Sequence, residues 1–116
     1  MGENDNIPQM TPSFENICRK DENGNEYWSS RDLCGAMGYS AYWKFQRVID
    51  KAIKVAGEKG MNVDEHINQA VDMVKIGNGS FRKVNIFRLS RMACMIIAEN
   101  ADSKKVLVQQ ARGFFS

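Results

Sequence analysis

The stretch LSRMACMIIAENAD, residues 89–102, contains a helix that is apolar on nearly every side. Ser90 is a typical N-cap residue, because its hydroxyl can accept a hydrogen bond from a free backbone N–H of the first turn. Every residue from Met92 to Ala98 is apolar. A helix that is hydrophobic all round is normally buried. We therefore predict a helix over residues 91–99 at the centre of the domain.

Helix signals also lie on both sides of this stretch. Ser29 and Ser30 can cap a short helix over about 31–37, which Gly38 would end. Ser40 is the next N-cap candidate and would open a longer helix over about 41–56. The buried face of that longer helix follows a three–four spacing. Its members are Phe45, Val48, Ile49, Ala52 and Ala56.

A last helix is predicted from about residue 103, with Leu107, Ala111 and Phe114 on one side.

Two turn signals predict two β-hairpins. Asn23-Gly24 lies between residues 17–20 and 26–29, and both turn positions tolerate a positive φ. The second turn is Gly-Asn-Gly-Ser at 77–80, and the region before it, 64–76, has both helical and strand spacing. The β-favouring residues after the turn indicate a short helical turn followed by a hairpin. These residues are Phe81, Val84, Ile86 and Phe87.

These elements predict one small α+β domain over residues 13–116, with two short β-hairpins packed against three to four helices. Residues 1–12 are polar, contain both prolines and are predicted to form a flexible lead-in. A chain of 116 residues can form one hydrophobic core, and 26% charged residues are typical of a globular protein. The sequence contains no signal peptide and no apolar segment of membrane-spanning length, so we expect a cytoplasmic location.

The charge is unevenly distributed along the chain. The net charge is +2, but residues 41–60 carry +3 and residues 81–116 carry +5. Lys44, Arg47, Lys51 and Lys54 form a stripe on the second predicted helix, whose only acid is Asp50. The centre of this basic stripe lies roughly 150° from the centre of the apolar face of the helix. The four side chains are therefore predicted to point towards solvent.

Two interpretations of the basic stripe remain open. It is either the solvated face of an ordinary helix or a surface that contacts nucleic-acid phosphates. Arg82 and Lys83 form a turn-adjacent pair, predicted at the base of a hairpin, from which they could reach a phosphate backbone. Arg88 and Arg91 complete the second basic segment.

Tyr42 and Trp43, at the start of the basic helix, could stack on unpaired bases. We favour a core or boundary position for both of them.

The residue types needed for catalysis are sparse. Cys18, Cys34 and Cys94 form no C-x-x-C pair and are expected to be reduced, mostly buried thiols. His66 is the single histidine. The acids Asp32, Asp64 and Glu65 lie at predicted helix starts, where the helix dipole and the unpaired N–H groups favour a negative charge, so capping explains them better than acid–base catalysis. We predict no catalytic residues, no metal and no cofactor.

Three segments together carry a resemblance to a known family. They are DENGNEYWSSRDLCGAMGYS at 21–40, MVKIGNGSFRKV at 73–84, and the stretch at 89–102. Over residues 14–115 the chain resembles the DNA-damage-inducible protein D family of bacteria, whose N-terminal part is similar to the Bro-N domain of phage and viral regulatory and antirepressor proteins. Met92, Ala101 and Ser103 depart from the family pattern. They affect a helix start and a loop, so the implied fold is unchanged.

The resemblance implies a non-enzymatic, DNA-associated regulatory domain linked to the bacterial DNA-damage (SOS) response. It supplies no catalytic residues, and DNA, single- or double-stranded, is the implied partner. Members of the family are longer, so the resemblance also implies an N-terminal domain whose Phe114 and Phe115 lack part of their usual cover. The alternative is a protein-interaction module that docks a recombination or repair protein, or a second copy of the chain in a homodimer.

Overall fold

The computed structural model describes residues 14–116, so the predicted flexible segment 1–12 lies outside the described residues. The helices are α1 (Ser30–Ala36), α2 (Tyr42–Glu58), α3 (Arg91–Asn100) and α4 (Val106–Phe115). The strands are β1 (Arg19–Lys20), β2 (Glu26–Ser29), β3 (Ile67–Lys75) and β4 (Phe81–Leu89). A 3-10 turn, Val63–Glu65, precedes β3. The predicted α+β class is confirmed.

The four strands form one antiparallel sheet in the order β1-β2-β4-β3. Both predicted hairpins are present, and each turn contains a glycine with positive φ, Gly24 and Gly79. The β3–β4 register runs from Ile67 opposite Leu89 to Lys75 opposite Phe81. The ambiguous region 64–76 is therefore a helical turn followed by a strand, as predicted, and β3 is an outer strand of the sheet.

Helix α3 lies at the centre of the core, which confirms the prediction made from its composition. Cys94, Ile97 and Ala98 are fully buried. Helices α2 and α4 pack against α3, and β2 and β4 contact it as well. Because α3 is apolar nearly all round, neighbours on several sides are needed to remove it from water.

The caps show where local signals determine the helix ends and where they do not. The hydroxyls of Ser29 and Ser90 accept hydrogen bonds from the backbone N–H groups of Arg31 and Ala93, as predicted. The predicted Ser40 cap is wrong, because α2 begins at Tyr42 and the cap residue is Ala41. The methyl side chain of Ala41 cannot accept a hydrogen bond from the first turn. Gly38 ends the α1 region with a φ of +84°.

The prediction that Phe114 and Phe115 lack part of their cover is wrong for Phe115. Phe115 is only 4% exposed, and its ring centroid lies 5.1 Å from that of Trp28 and 5.5 Å from that of Phe14. Phe114 is half-buried in the same cluster. The buried face of α4 consists of Val108, Ala111 and Phe115 rather than the predicted Leu107, Ala111 and Phe114.

The central position of α3 predicts a large difference between two substitutions on that helix. Ile97 is fully buried and Met92 is 54% exposed. We expect Ile97→Ala to lower the free energy of unfolding by about 2–5 kcal/mol, because it removes buried methyl groups and leaves a cavity. Met92→Ala, the matched control, should change it by less than about 0.5 kcal/mol. Urea denaturation followed by circular dichroism measures both, and equal losses would contradict the central position of α3.

Candidate nucleic-acid interface

Helix α2 holds the basic stripe on its outer side. Phe45, Ile49 and Ala52 are fully buried against the core, so their side of the helix is fixed inward. All four stripe residues are exposed: Lys44, Arg47, Lys51 and Lys54. Within residues 14–116, no carboxylate oxygen lies within 4.0 Å of their charged nitrogens. The stripe therefore presents four cations without an ion-pair partner in the described part of the chain.

Trp43 lies at the edge of this stripe and is 60% exposed. The ammonium nitrogen of Lys44 lies 5.6 Å from the centroid of its ring. The expected core or boundary position is therefore wrong for Trp43. Tyr42 does lie at the boundary, where its hydroxyl oxygen is 2.7 Å from Ser30 Oγ and its ring stacks under the guanidinium of Arg31. One residue turns a helix by about 100°, so Tyr42 and Trp43 cannot share an environment.

Arg88 and Arg91 have partners within the protein. Arg88 Nη1 lies 3.6 Å from Glu22 Oε1, and the guanidinium stands over the ring of Tyr27. Arg91 Nε donates to Glu26 Oε2 at 2.9 Å, and its guanidinium lies 5.2 Å from the ring centroids of both Trp28 and Phe114. Any phosphate that binds these arginines must compete with those contacts.

Arg82 and Lys83 are exposed and lie beside the 77–80 turn, at the turn end of the β3–β4 hairpin rather than at the predicted base. Because successive strand residues point to opposite faces, these two side chains cannot contact the same ligand surface as a pair. The structure thus unites the four stripe residues on one helix, whereas it places Arg82, Lys83, Arg88 and Arg91 on other elements. Their role in nucleic-acid binding stays a prediction.

A cavity lies between α2 and the β3–β4 hairpin, and no pattern in the sequence indicates it. It has a volume of about 400 Å³. Its polar lining consists of Arg31, Tyr42, Gln46, Gln69 and Asn85. Arg31 Nε donates to the backbone oxygen of Asn85 at 3.2 Å, which fixes one wall. These residues come from four separate elements, so no local motif could reveal them.

The remaining reactive side chains are held in the interior or in hydrogen bonds. Burial raises the pKa of the thiols of Cys34 and Cys94, as expected of cysteines that serve as small hydrophobic residues. His66 Nδ1 lies 2.8 Å from Ser90 Oγ. Within residues 14–116, no three His, Cys, Asp or Glu side chains form a cluster that could hold a metal ion. None of the helices in that range is both long and apolar enough to cross a membrane.

The fold and its charged surface define a small α+β domain with one basic helix face. Over 103 residues, 89% of its length, the chain is 35% identical to DNA damage-inducible protein D of Escherichia coli (strain K12). This match confirms the resemblance to the DNA damage-inducible protein D family that was predicted from the sequence.

The chain spans 38% of the length of that relative. The name of that relative describes a protein that is inducible by DNA damage. No family model matches the chain, and no solved structure does. The similarity to the Bro-N domain therefore stays a prediction.

The contact between Arg91 and Glu26 predicts a pH dependence of stability. The hydrogen bond from Arg91 lowers the pKa of Glu26 below its ordinary value of 4.5. The carboxylate of Glu26 therefore stabilises the fold at pH values above its ordinary pKa. This stabilisation is lost as the pH falls through the lowered pKa of the folded protein. Between about pH 6 and about pH 3, we expect the urea midpoint of the wild type to fall further than that of Glu26→Gln. The exposed Glu99 provides the control Glu99→Gln, which should behave like the wild type; three equal falls would contradict the prediction.

Proposed function

We propose that this chain is a non-enzymatic domain of the DNA-damage response that contacts nucleic-acid phosphates through the basic stripe of α2. The observation that carries the proposal is the exposure of Lys44, Arg47, Lys51 and Lys54 on one helix face, without an ion-pair partner among residues 14–116. The similarity to DNA damage-inducible protein D supports the biological setting.

The geometry of the stripe supports phosphate binding more than a merely solvated face. The eleven residues from Lys44 to Lys54 extend about 15 Å along the helix axis. Exposed helix faces are commonly stabilised by pairs of opposite charge three or four residues apart. Here the nearby acid Asp50 instead accepts a hydrogen bond from Gln46 at 3.1 Å. The four cations therefore repel one another, and an anionic ligand relieves that repulsion.

The number of cations sets an upper limit on the salt dependence of binding. Each phosphate neutralised contributes a slope of about −0.9 for duplex DNA and about −0.7 for a single strand in a plot of log K against log salt. Four contacts give about −3.6 and about −2.8 respectively. A much steeper slope would require further contacts, for which Arg82 and Lys83 are the exposed candidates.

We expect fluorescence anisotropy with labelled single- and double-stranded oligonucleotides to show binding that weakens with salt. The triple variant Lys44→Ala/Arg47→Ala/Lys51→Ala should lose most of the affinity and show a shallower slope, because three of the four contacts are gone. The matched control, Lys20→Ala/Lys59→Ala/Lys104→Ala, removes as much charge from exposed positions outside the stripe. The proposal fails if the folded wild type does not bind at low salt, or if both triple variants lose affinity equally.

Trp43 offers a test of whether the bound nucleic acid is single-stranded. An exposed aromatic ring beside a row of cations suits stacking on an unpaired base. The other tryptophan, Trp28, is fully buried, so fluorescence quenching by a ligand reports on Trp43. We expect a single strand to quench this signal, and Trp43→Ala to weaken single-strand binding roughly tenfold with an unchanged salt slope. Duplex binding should be unaffected; equal losses for both ligands, or no loss for either, would contradict the assignment.

A second candidate function is a protein-interaction module that docks a recombination or repair partner. The observation that favours it is a group of large apolar side chains exposed on the β3–β4 hairpin, namely Val71, Met73 and Phe81. The C-terminal phenylalanines no longer support this candidate, because Phe115 is buried.

A further inference from the structure

Strand β3 has one uncovered edge. It is nine residues long and lies at the end of the strand order β1-β2-β4-β3. Among residues 14–116, it pairs only with β4. The backbone N–H and C=O groups that point away from β4 are therefore available to another strand, apart from the N–H of Met73, which donates to Asp72 Oδ1 at 2.9 Å. Natural proteins usually protect such an edge with charges, a proline or a bulge, or by keeping the strand short.

Little of that protection is present on β3. Val71 is 58% exposed and Met73 is 51% exposed, and alternation along the strand places both on one face. Asp72 is the only acid in the strand. Its Oδ2 lies 3.1 Å from Arg19 Nη1, and its Oδ1 accepts from the backbone N–H of Met73, which a pairing strand would have to displace. The continuous register with β4 contains no proline and no bulge. The middle of this edge is thus regular, and Val71 and Met73 are its exposed apolar side chains.

The two ends of this edge carry opposite charges. Asp64 and Glu65 lie just before β3 and are exposed. Lys75 ends the strand, and Arg82 and Lys83 stand beside it on β4, opposite Val74 and Met73. Within the described residues, none of these five groups is in a salt bridge. An antiparallel copy of the same edge would bring the basic end of one chain to the acidic end of the other.

We propose that a second copy of this chain pairs antiparallel with β3, about a two-fold axis near Val71. In that register Lys75 lies opposite Ile67 of the second copy, next to that copy's Asp64 and Glu65, and the same contact repeats at the other end. Val71 faces its own symmetry mate, as an isologous interface requires. The two four-stranded sheets then form one continuous sheet. A parallel arrangement would instead place like charges together at both ends.

Other ligands fit this edge less well. A nucleic acid cannot supply a ladder of backbone N–H and C=O groups, and the aliphatic side chain of Val71 offers no ring for a base to stack on. An acidic peptide would satisfy Lys75 but would meet like charge at Asp64 and Glu65. This inference goes beyond the proposed function and does not rest on it, because none of the stripe residues takes part.

The test is the mass of the protein in solution, measured by sedimentation equilibrium over a range of concentrations. We expect the wild type to form a reversible dimer and Val71→Lys to be a monomer, because two ammonium groups would then meet at the two-fold axis. Met92→Lys is the matched control, since it adds the same charge at another exposed apolar position and should leave the dimer intact. Circular dichroism confirms that each variant is folded.

Charge reversal provides a second, independent measurement. Lys75→Glu alone, and Asp64→Lys/Glu65→Lys alone, should each weaken the dimer at least severalfold, because like charges then meet at both ends. All three changes in one chain should restore much of the dimer. A wild type that stays monomeric up to about 1 mM overturns the proposal. A dimer that the Val71→Lys substitution does not weaken also overturns it. The same holds for a monomer whose β3 edge binds an oligonucleotide or a peptide.

Discussion

The burial of α3 is the constraint on which the rest of the structure depends. A helix with apolar residues on nearly every side must be covered from several directions to be removed from water. The sheet supplies β2 and β4 as one part of the cover, and α2 and α4 supply others. Because α2 has its apolar face against this core, its opposite face is left to solvent. The location of the basic stripe is therefore a consequence of how the core is closed.

Much of the fold could be predicted from the sequence because its signals are local. Turn glycines, serine caps and three–four spacing act within a few residues, and they correctly indicated both hairpins and all four helices. Apart from the Ser40 cap, the errors arose where contacts between distant segments decide. Helix α4 begins at Val106 rather than near residue 103, and its buried face is set by the aromatic cluster around Trp28. No local pattern in α4 contains that information.

The same distinction applies to the candidate site. Helical periodicity alone predicted that the stripe on α2 is exposed, because those four residues share one element. Whether Arg88 and Arg91 have partners within the protein could not be predicted in this way. Arg91 forms its ion pair with Glu26, 65 residues earlier in the chain, and Arg88 stands over Tyr27. The prediction for Trp43 is wrong because this residue adjoins the apolar stripe of α2 in sequence, whereas the inward side of the helix, with Phe45 and Ile49, turns its ring to solvent. Sequence spacing thus indicates which charges are near one another, and tertiary contacts determine which of them remain unpaired.

The contact between Phe14 and Phe115 has a consequence for the order of folding. These rings lie 5.5 Å apart although they stand at opposite ends of the described chain. Hairpins and helices form from local contacts, but closing so long a loop has a larger entropic cost and comes later. We therefore expect the packing of Phe14 and Phe115 around Trp28 to form late in folding. During synthesis on the ribosome, the domain cannot complete its core until the last turn of α4 has left the exit tunnel.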